Sequence, residues 1–155
     1  MYVDLDYTNS KSKNYILTVE GKFTYLRNKN FLVMSNEDNL TKFYEFLKEV
    51  EGKVLILGLG LGYCVKYLLK YNDISSILVI EKDQEIIDLI KPFLKDERLT
   101  IKQGDAFTYE IEEEYNTIIN DIWYYICEET NNENNRLRNK FKGSFKKYFS
   151  PLTKT

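Results

Sequence analysis

The stretch that most constrains this chain is residues 54–69, VLILGLGLGYCVKYLL. Residues 54–57 form an apolar run long enough for a buried strand. Gly58, Gly60 and Gly62 follow at G-x-G-x-G spacing, and residues 63–71 have the composition of a helix. A strand, a tight glycine turn and a helix start together cradle a nucleotide-like ligand. Glycine lets the backbone approach the ligand closely, and the unpaired N–H groups of the helix start point into the turn. A dinucleotide fold that holds a pyrophosphate wants its third glycine one place later, as G-x-G-x-x-G. Tyr63 stands there instead. The bland alternative is a strand-to-helix turn that binds nothing.

The pattern around this stretch alternates. Apolar runs at 54–57, 77–80, 99–102 and 117–120 predict four strands. Helical patterns separate them at 63–71 and after Asp83, where Ile86, Ile87, Leu89, Ile90, Phe93 and Leu94 supply a buried face and Pro92 ends or kinks the helix. Such alternation implies an α/β fold with a Rossmann-like, doubly wound parallel sheet. Upstream, β-favouring runs at 15–19, 23–27 and 31–34 are separated by turn residues and predict a small antiparallel meander, with residues 1–14 as an arm. Ser35, with Asp38 three places on, reads as the cap of an amphipathic helix carrying Leu40, Phe43, Tyr44, Leu47 and Val50 on one face. A last helix is expected over 132–149, with Leu137, Phe141, Phe145 and Phe149 in steps of four and Gly143 weakening its middle. The reading is one domain over 1–155, with the meander and arm over 1–35 and the core over 36–155. The sheet is C-terminally shortened, since one helix follows the fourth strand.

Composition narrows the chemistry. The 155 residues are 43% hydrophobic and 30% charged, which is globular rather than disordered. There is no histidine, so the commonest general base and metal ligand is absent and acid–base work falls to Asp, Glu, Tyr or Lys. Cys64 and Cys127 have no metal or redox spacing and read as buried or semi-buried thiols, with no metal expected. No apolar run is long enough for a transmembrane helix, and the N-terminus lacks the pattern of a signal peptide, so no membrane contact and a cytoplasmic location are expected. The net charge of −2 is uneven. From Glu133 onward seven basic residues face one acid, a net +6 that leaves −8 on the rest. That tail reads as a solvated helix face, or as a contact for nucleic acid.

Three acids fall at the ends of predicted strands, the side on which open α/β sheets bind ligands. Glu81 lies 23 residues after Gly58, where a carboxylate can accept both hydroxyls of a ribose; its alternative is a helix cap, for which Asp83 is better placed. Asp105, in Gly104-Asp105-Ala106-Phe107, can hold an adenine edge while Phe107 or Ile80 packs on its face, or can simply cap a turn. Asp121, in Asn120-Asp121-Ile122-Trp123, faces the reacting end of such a ligand, with Trp123, Tyr124 and Tyr125 as an aromatic wall for a substrate or a sulfonium, or as core aromatics.

Taken in order, VLILGLGLG, VIEKD, QGDAF and NTIINDIW resemble motifs I to IV of the class I S-adenosylmethionine-dependent methyltransferase superfamily. They are most similar to its spermidine-synthase-like branch, the polyamine aminopropyltransferases, which also carry an N-terminal β-domain. The resemblance covers residues 53–123. It implies S-adenosylmethionine, or a decarboxylated or demethylated relative, as the ligand. Gly58, Gly60 and Gly62 would line its methionine and ribose portion, Glu81 the ribose hydroxyls and Asp105 the adenine, with Leu59, Lys82 and Ala106 as further cofactor-binding residues beside them. Asp121 would stand where the aminopropyltransferases keep a substrate-orienting or proton-accepting carboxylate, with Trp123 and Tyr124 beside the substrate. Two positions depart from the pattern. Ile56 stands where many methyltransferases have an acid two residues before the first glycine, and Leu61 where the aminopropyltransferases have an Asp.

The implied activity is a transferase moving a methyl or aminopropyl group to an acceptor. The rivals are a module that binds the nucleoside without turnover, favoured by Leu61 and Ile56, and a nucleic-acid-associated protein using the basic tail. A four-stranded parallel core ending at Asn120 would leave an open edge, so a homo-oligomer is expected, with the contact at 123–126 or the last helix.

Overall fold

The computed structural model describes residues 3–29, 31–37, 42–122 and 127–150. Strands β1 (Ser10–Lys11), β2 (Tyr15–Glu20), β3 (Phe23–Asn28) and β4 (Phe31–Ser35) form an antiparallel sheet in that order. A second, all-parallel sheet contains β5 (Gly52–Leu57), β6 (Ile74–Glu81), β7 (Leu99–Gln103), β8 (Tyr115–Asn120) and β9 (Phe145–Phe149), in the order β7-β6-β5-β8-β9. Helices α1 (Tyr63–Tyr71), α2 (Gln84–Ile90) and α3 (Glu128–Lys140) complete the doubly wound α/β fold.

Burial on both faces explains why the central strands read as unbroken apolar runs. Val54, Ile56, Ile77, Val79 and Ile119 face a large core built with Val65 and Leu68 of α1, with α2, and with Leu17 and Leu26 of the antiparallel sheet. Leu55, Leu57, Ile80 and Ile118 face a smaller core closed by Leu137 and Phe141 at and just beyond α3. Asp83 caps α2 by accepting from the Glu85 N–H at 2.9 Å, and the helix ends at Ile90, before Pro92.

Four expectations are corrected. The last helix does not run over 132–149. It ends at Lys140, Gly143 turns the chain at φ +93°, and Phe145–Phe149 form β9, parallel to β8. The steps of four in that stretch are also steps of two along a strand, and the glycine decides between them. β9 therefore covers the edge of β8 that was expected to be open, and the edge strands of the sheet are β7 and β9. The N-terminal segment is no loose arm: Val3, Leu5 and Tyr7 alternate into the core while Asp4 and Asp6 face out. Ser35 closes β4 rather than capping a helix. The helical piece that follows is a 3-10 segment, Lys42–Glu49, kinked at Tyr44. Asp38 and Leu40 lie outside the described residues.

From β5 the chain moves outward to β6 and β7, then returns to the other side of β5 as β8. The strand order reverses between β5 and β8, and the C-terminal ends of those two strands are where such sheets open a ligand crevice. Gly58 and Asp121 sit at these ends. No described helix is long and apolar enough to cross a membrane.

Candidate functional site

The glycine turn needs its glycines for different reasons. Gly58 and Gly60 have φ of +99° and +53°. A side chain at Gly58 would stand 2.5 Å from the Asp121 carbonyl oxygen, so β5 and β8 meet there backbone to backbone. At Gly60 the obstacle is the flexible end of Met34. Gly62 caps α1 in the left-handed region, and a Cβ there would meet Leu94 and the Tyr7 hydroxyl. Unlike Gly58 and Gly60, it does not line the cavity between these strand ends.

Glu81 leaves β6 half-buried and accepts two backbone bonds. Oε2 takes the Leu59 N–H of the glycine turn at 2.8 Å, and Oε1 takes the Asp83 N–H at 2.9 Å. The loop beyond is tied to the antiparallel sheet: the Tyr15 hydroxyl donates to Asp83 at 2.7 Å, and Asn14 donates twice to Glu85 at 2.8 Å. Asp105 holds its own turn by accepting from the Phe107 N–H at 2.9 Å, and the ammonium of the exposed Lys82 lies 3.5 Å from its other oxygen. Ala106 is buried beside it, and Arg136 of α3 lies over the Phe107 ring at 5.3 Å.

Asp121 is 7% exposed. Its Oδ1 accepts from the Tyr44 hydroxyl at 2.8 Å, and its Oδ2 faces the Cys64 thiol at 3.5 Å. Burial lifts its carboxyl from the ordinary 3.8 to about 7. The two hydrogen bonds pull against that rise and the charge of Glu81 adds to it. A carboxyl poised near neutrality can take up and release a proton at working pH.

One cavity of about 430 Å³ joins these parts. Its lining brings together Gly58, Gly60, Glu81, Lys82, Asp105, Ala106 and Asp121 from the predicted set. It also includes Ile80 and Phe107, the expected packing surfaces for a base. Leu59 is not in the lining: its side chain is buried in the large core and its N–H serves Glu81. Trp123 and Tyr124 lie outside the described residues. Three contributors were not foreseen. The sequence offers Tyr44 on an amphipathic helix face and Cys64 as a buried or semi-buried thiol, but nothing in it pairs them with Asp121, 77 and 57 residues away. Glu133 reaches the cavity from α3, whereas the sequence offers it only as the lone acid of a basic tail.

Leu61, at the departure noted above, is fully buried. Its N–H points to the Met34 sulfur at 3.2 Å and its carbonyl accepts from the Tyr7 hydroxyl at 2.6 Å. Behind the site, a buried network joins α3 and β9 to β8: Asn120 donates to Asn134 at 2.7 Å, and the Tyr148 hydroxyl donates to the same oxygen at 2.8 Å.

Over 77 residues the chain is 36% identical to a polyamine aminopropyltransferase of Lachnospira eligens, a stretch that is 44% of this chain and 27% of that protein. A spermidine synthase from Thermotoga maritima has the same fold, with a TM-score of 0.50 at 16% identity over 72% of this chain and 46% of its own. So does an S-adenosylmethionine-dependent methyltransferase from Mesorhizobium loti, with a TM-score of 0.53 at 15% identity over 67% of this chain and 46% of its own. The chain thus spans less than half the length of each. The model of the spermine/spermidine synthase domain matches residues 34–148, from the end of β4 into β9, a stretch that takes in the glycine turn and the three strand-end acids, and the chain belongs to that family.

Proposed function

We propose that this domain binds a cationic adenosyl sulfonium, S-adenosylmethionine or its decarboxylated relative, and transfers an alkyl group from it to an acceptor. The observation that carries the reading is Asp121, a buried carboxyl raised to about 7 at the rim of the cavity that also holds the glycine turn and Glu81. The residues present suit the ligand. The cavity volume is that of a small-molecule site. Glu81 keeps further lone pairs for ribose hydroxyls, and Ile80 and Phe107 offer faces for a base. Among the described lining residues, Glu81, Asp105 and Glu133 outnumber the one cation, Lys82, itself beside Asp105, which favours a positively charged ligand over a neutral thioether.

When bound, the sulfonium supplies an alkyl carbon activated by positive sulfur, and the carbon–sulfur bond electrons leave with the sulfur as a new bond forms to the acceptor. The chain's own contribution is to position and to move one proton. Asp121 accepts a hydrogen bond from the acceptor amine or hydroxyl, turns its lone pair toward the cavity, and takes the proton it releases. Burial of Asp121 keeps water from competing.

Calorimetric titration with both sulfonium forms and with the thioether product tests the binding step. Binding of a sulfonium, tighter than that of the thioether, is expected, and Glu81→Ala abolishes most of it. Asp121→Asn keeps the affinity while isotope transfer from labelled sulfonium to an amine acceptor falls by about a hundredfold or more. Absence of binding of any of the three at millimolar concentration refutes the proposal.

A second reading, binding without turnover, is favoured by Leu61. Its backbone is engaged within the fold and its side chain offers no carboxylate for the ligand's amino group. Tight sulfonium binding with no transfer to amine, thiol or hydroxyl acceptors decides for it. A nucleic-acid role draws less support. Arg136 lies over Phe107, Arg138 over Tyr148, and Lys140 donates to the Phe107 carbonyl at 2.7 Å, so three of the tail's cations serve the fold.

A further inference from the structure

We propose that Cys64 is a positioning residue for Asp121: its thiol and the Tyr44 hydroxyl hold the carboxylate from two sides and leave its remaining lone pairs for the cavity. The proposal rests on the reading of Asp121 as proton acceptor, yet the geometry it asserts is measurable without turnover.

The placement follows from the glycine turn. Gly62 caps α1, so Cys64 is the second residue of the helix, in the first turn, against the end of β8. Its sulfur lies 3.5 Å from Oδ2 while the Tyr44 oxygen lies 2.8 Å from Oδ1. A carboxylate has two oxygens and about four acceptor directions. One direction on each oxygen is thereby taken, and rotation of the group would break both bonds together. The groups acting on Asp121 are the Tyr44 hydroxyl from the 3-10 segment, the Cys64 thiol from α1 and the Glu81 carboxylate from β6; no cation among the described residues does so. Cys64 is itself only 3% exposed. Burial and the neighbouring Asp121 charge push its thiol well above the ordinary range, so it stays protonated and acts as a donor.

The chemistry of the donor matters. A thiol is a weak hydrogen-bond donor. It fixes the orientation of a base with less loss of basicity than a hydroxyl at the same place, which would hold the charged form more strongly. The site thus pairs one strong donor with one weak one, and Asp121 keeps its affinity for a proton.

Carbon-13 titration of the Asp121 carboxyl, assigned by its loss in Asp121→Asn, tests this on the intact chain. The parent midpoint is expected near 7. Cys64→Ala raises it by roughly half a unit or more, because a donor to the charged form is gone, and Cys64→Ser brings it below the parent. In transfer assays Cys64→Ala lowers kcat several-fold with KM for the sulfonium unchanged, its pH profile follows the titration, and Cys64→Ser restores a single orientation at a lower midpoint. Should the alanine variant fold poorly, the serine variant alone decides. Midpoints in both variants equal to the parent's overturn the proposal. A parent protein that binds the sulfonium but transfers nothing removes the transfer reading, and the titration still decides whether Cys64 holds Asp121.

Discussion

The ends of β6 and β8 both present a carboxylate to one cavity, and they are built in opposite ways. Glu81 is half-buried and held by two backbone N–H groups, one from the glycine turn and one from the turn into α2. Asp121 is nearly enclosed and held by two side chains from other elements. Backbone N–H groups are fixed, permanent donors, so the β6 end is suited to holding a ligand in one place. Enclosure penalises charge, so the β8 end is suited to handling a proton. The C-terminal side of one sheet thus carries two acids in different settings, set by surroundings rather than residue type.

The largest effect is expected where the two ends press on each other. Gly58→Ala should cost roughly 3–4 kcal/mol, because its φ of +99° is strained for any side chain and the new Cβ meets the Asp121 carbonyl, which is backbone and does not swing away. Gly60→Ala meets only the Met34 side chain and should cost less than half as much. Denaturant midpoints of the two variants measure this, and equal losses would show that the β8 end yields as easily as a side chain.

Next comes pH. Folded Asp121 binds its last proton near pH 7, and the unfolded chain near pH 4. The folded state therefore holds the extra proton in between, so this group's contribution is full below the unfolded value and is lost as pH rises through the folded one. From about pH 5 to about pH 7.5 the parent should lose roughly 2.5 kcal/mol of stability that Asp121→Asn does not lose. Parallel pH–stability curves would break the contrast with Glu81.

The smallest effect sharpens the other side. Glu81→Gln keeps one acceptor for its two backbone donors and turns an NH₂ toward the other. A loss of about 1–2 kcal/mol is expected, by thermal and denaturant unfolding. An unchanged stability would mean that the two N–H groups find other acceptors and that Glu81 is free to swing.

Much of this was legible in the sequence because it depends on neighbours along the chain. The apolar runs buried on both faces, the glycine turn, the acids at strand ends and the cap at Asp83 are local patterns. Val3, Leu5 and Tyr7 alternate as a strand does, but the run is too short to stand out beside the turn residues that follow. The fifth strand was hidden because phenylalanines at steps of four satisfy helix and strand alike. Only the pairing with β8 after the Gly143 turn resolves them.

What the sequence by itself determined is the order of elements from β5 to β8 and the side of the sheet on which a ligand would lie, since both follow from periodicity and from the handedness of β-α-β connections. What the tertiary structure alone decided is the state of Asp121. Its burial, its bonds to Tyr44 and Cys64 and its nearness to Glu81 join residues from four elements far apart in the chain. A carboxyl's proton affinity is the sum of desolvation and neighbouring charge, and those terms exist only once the chain has folded.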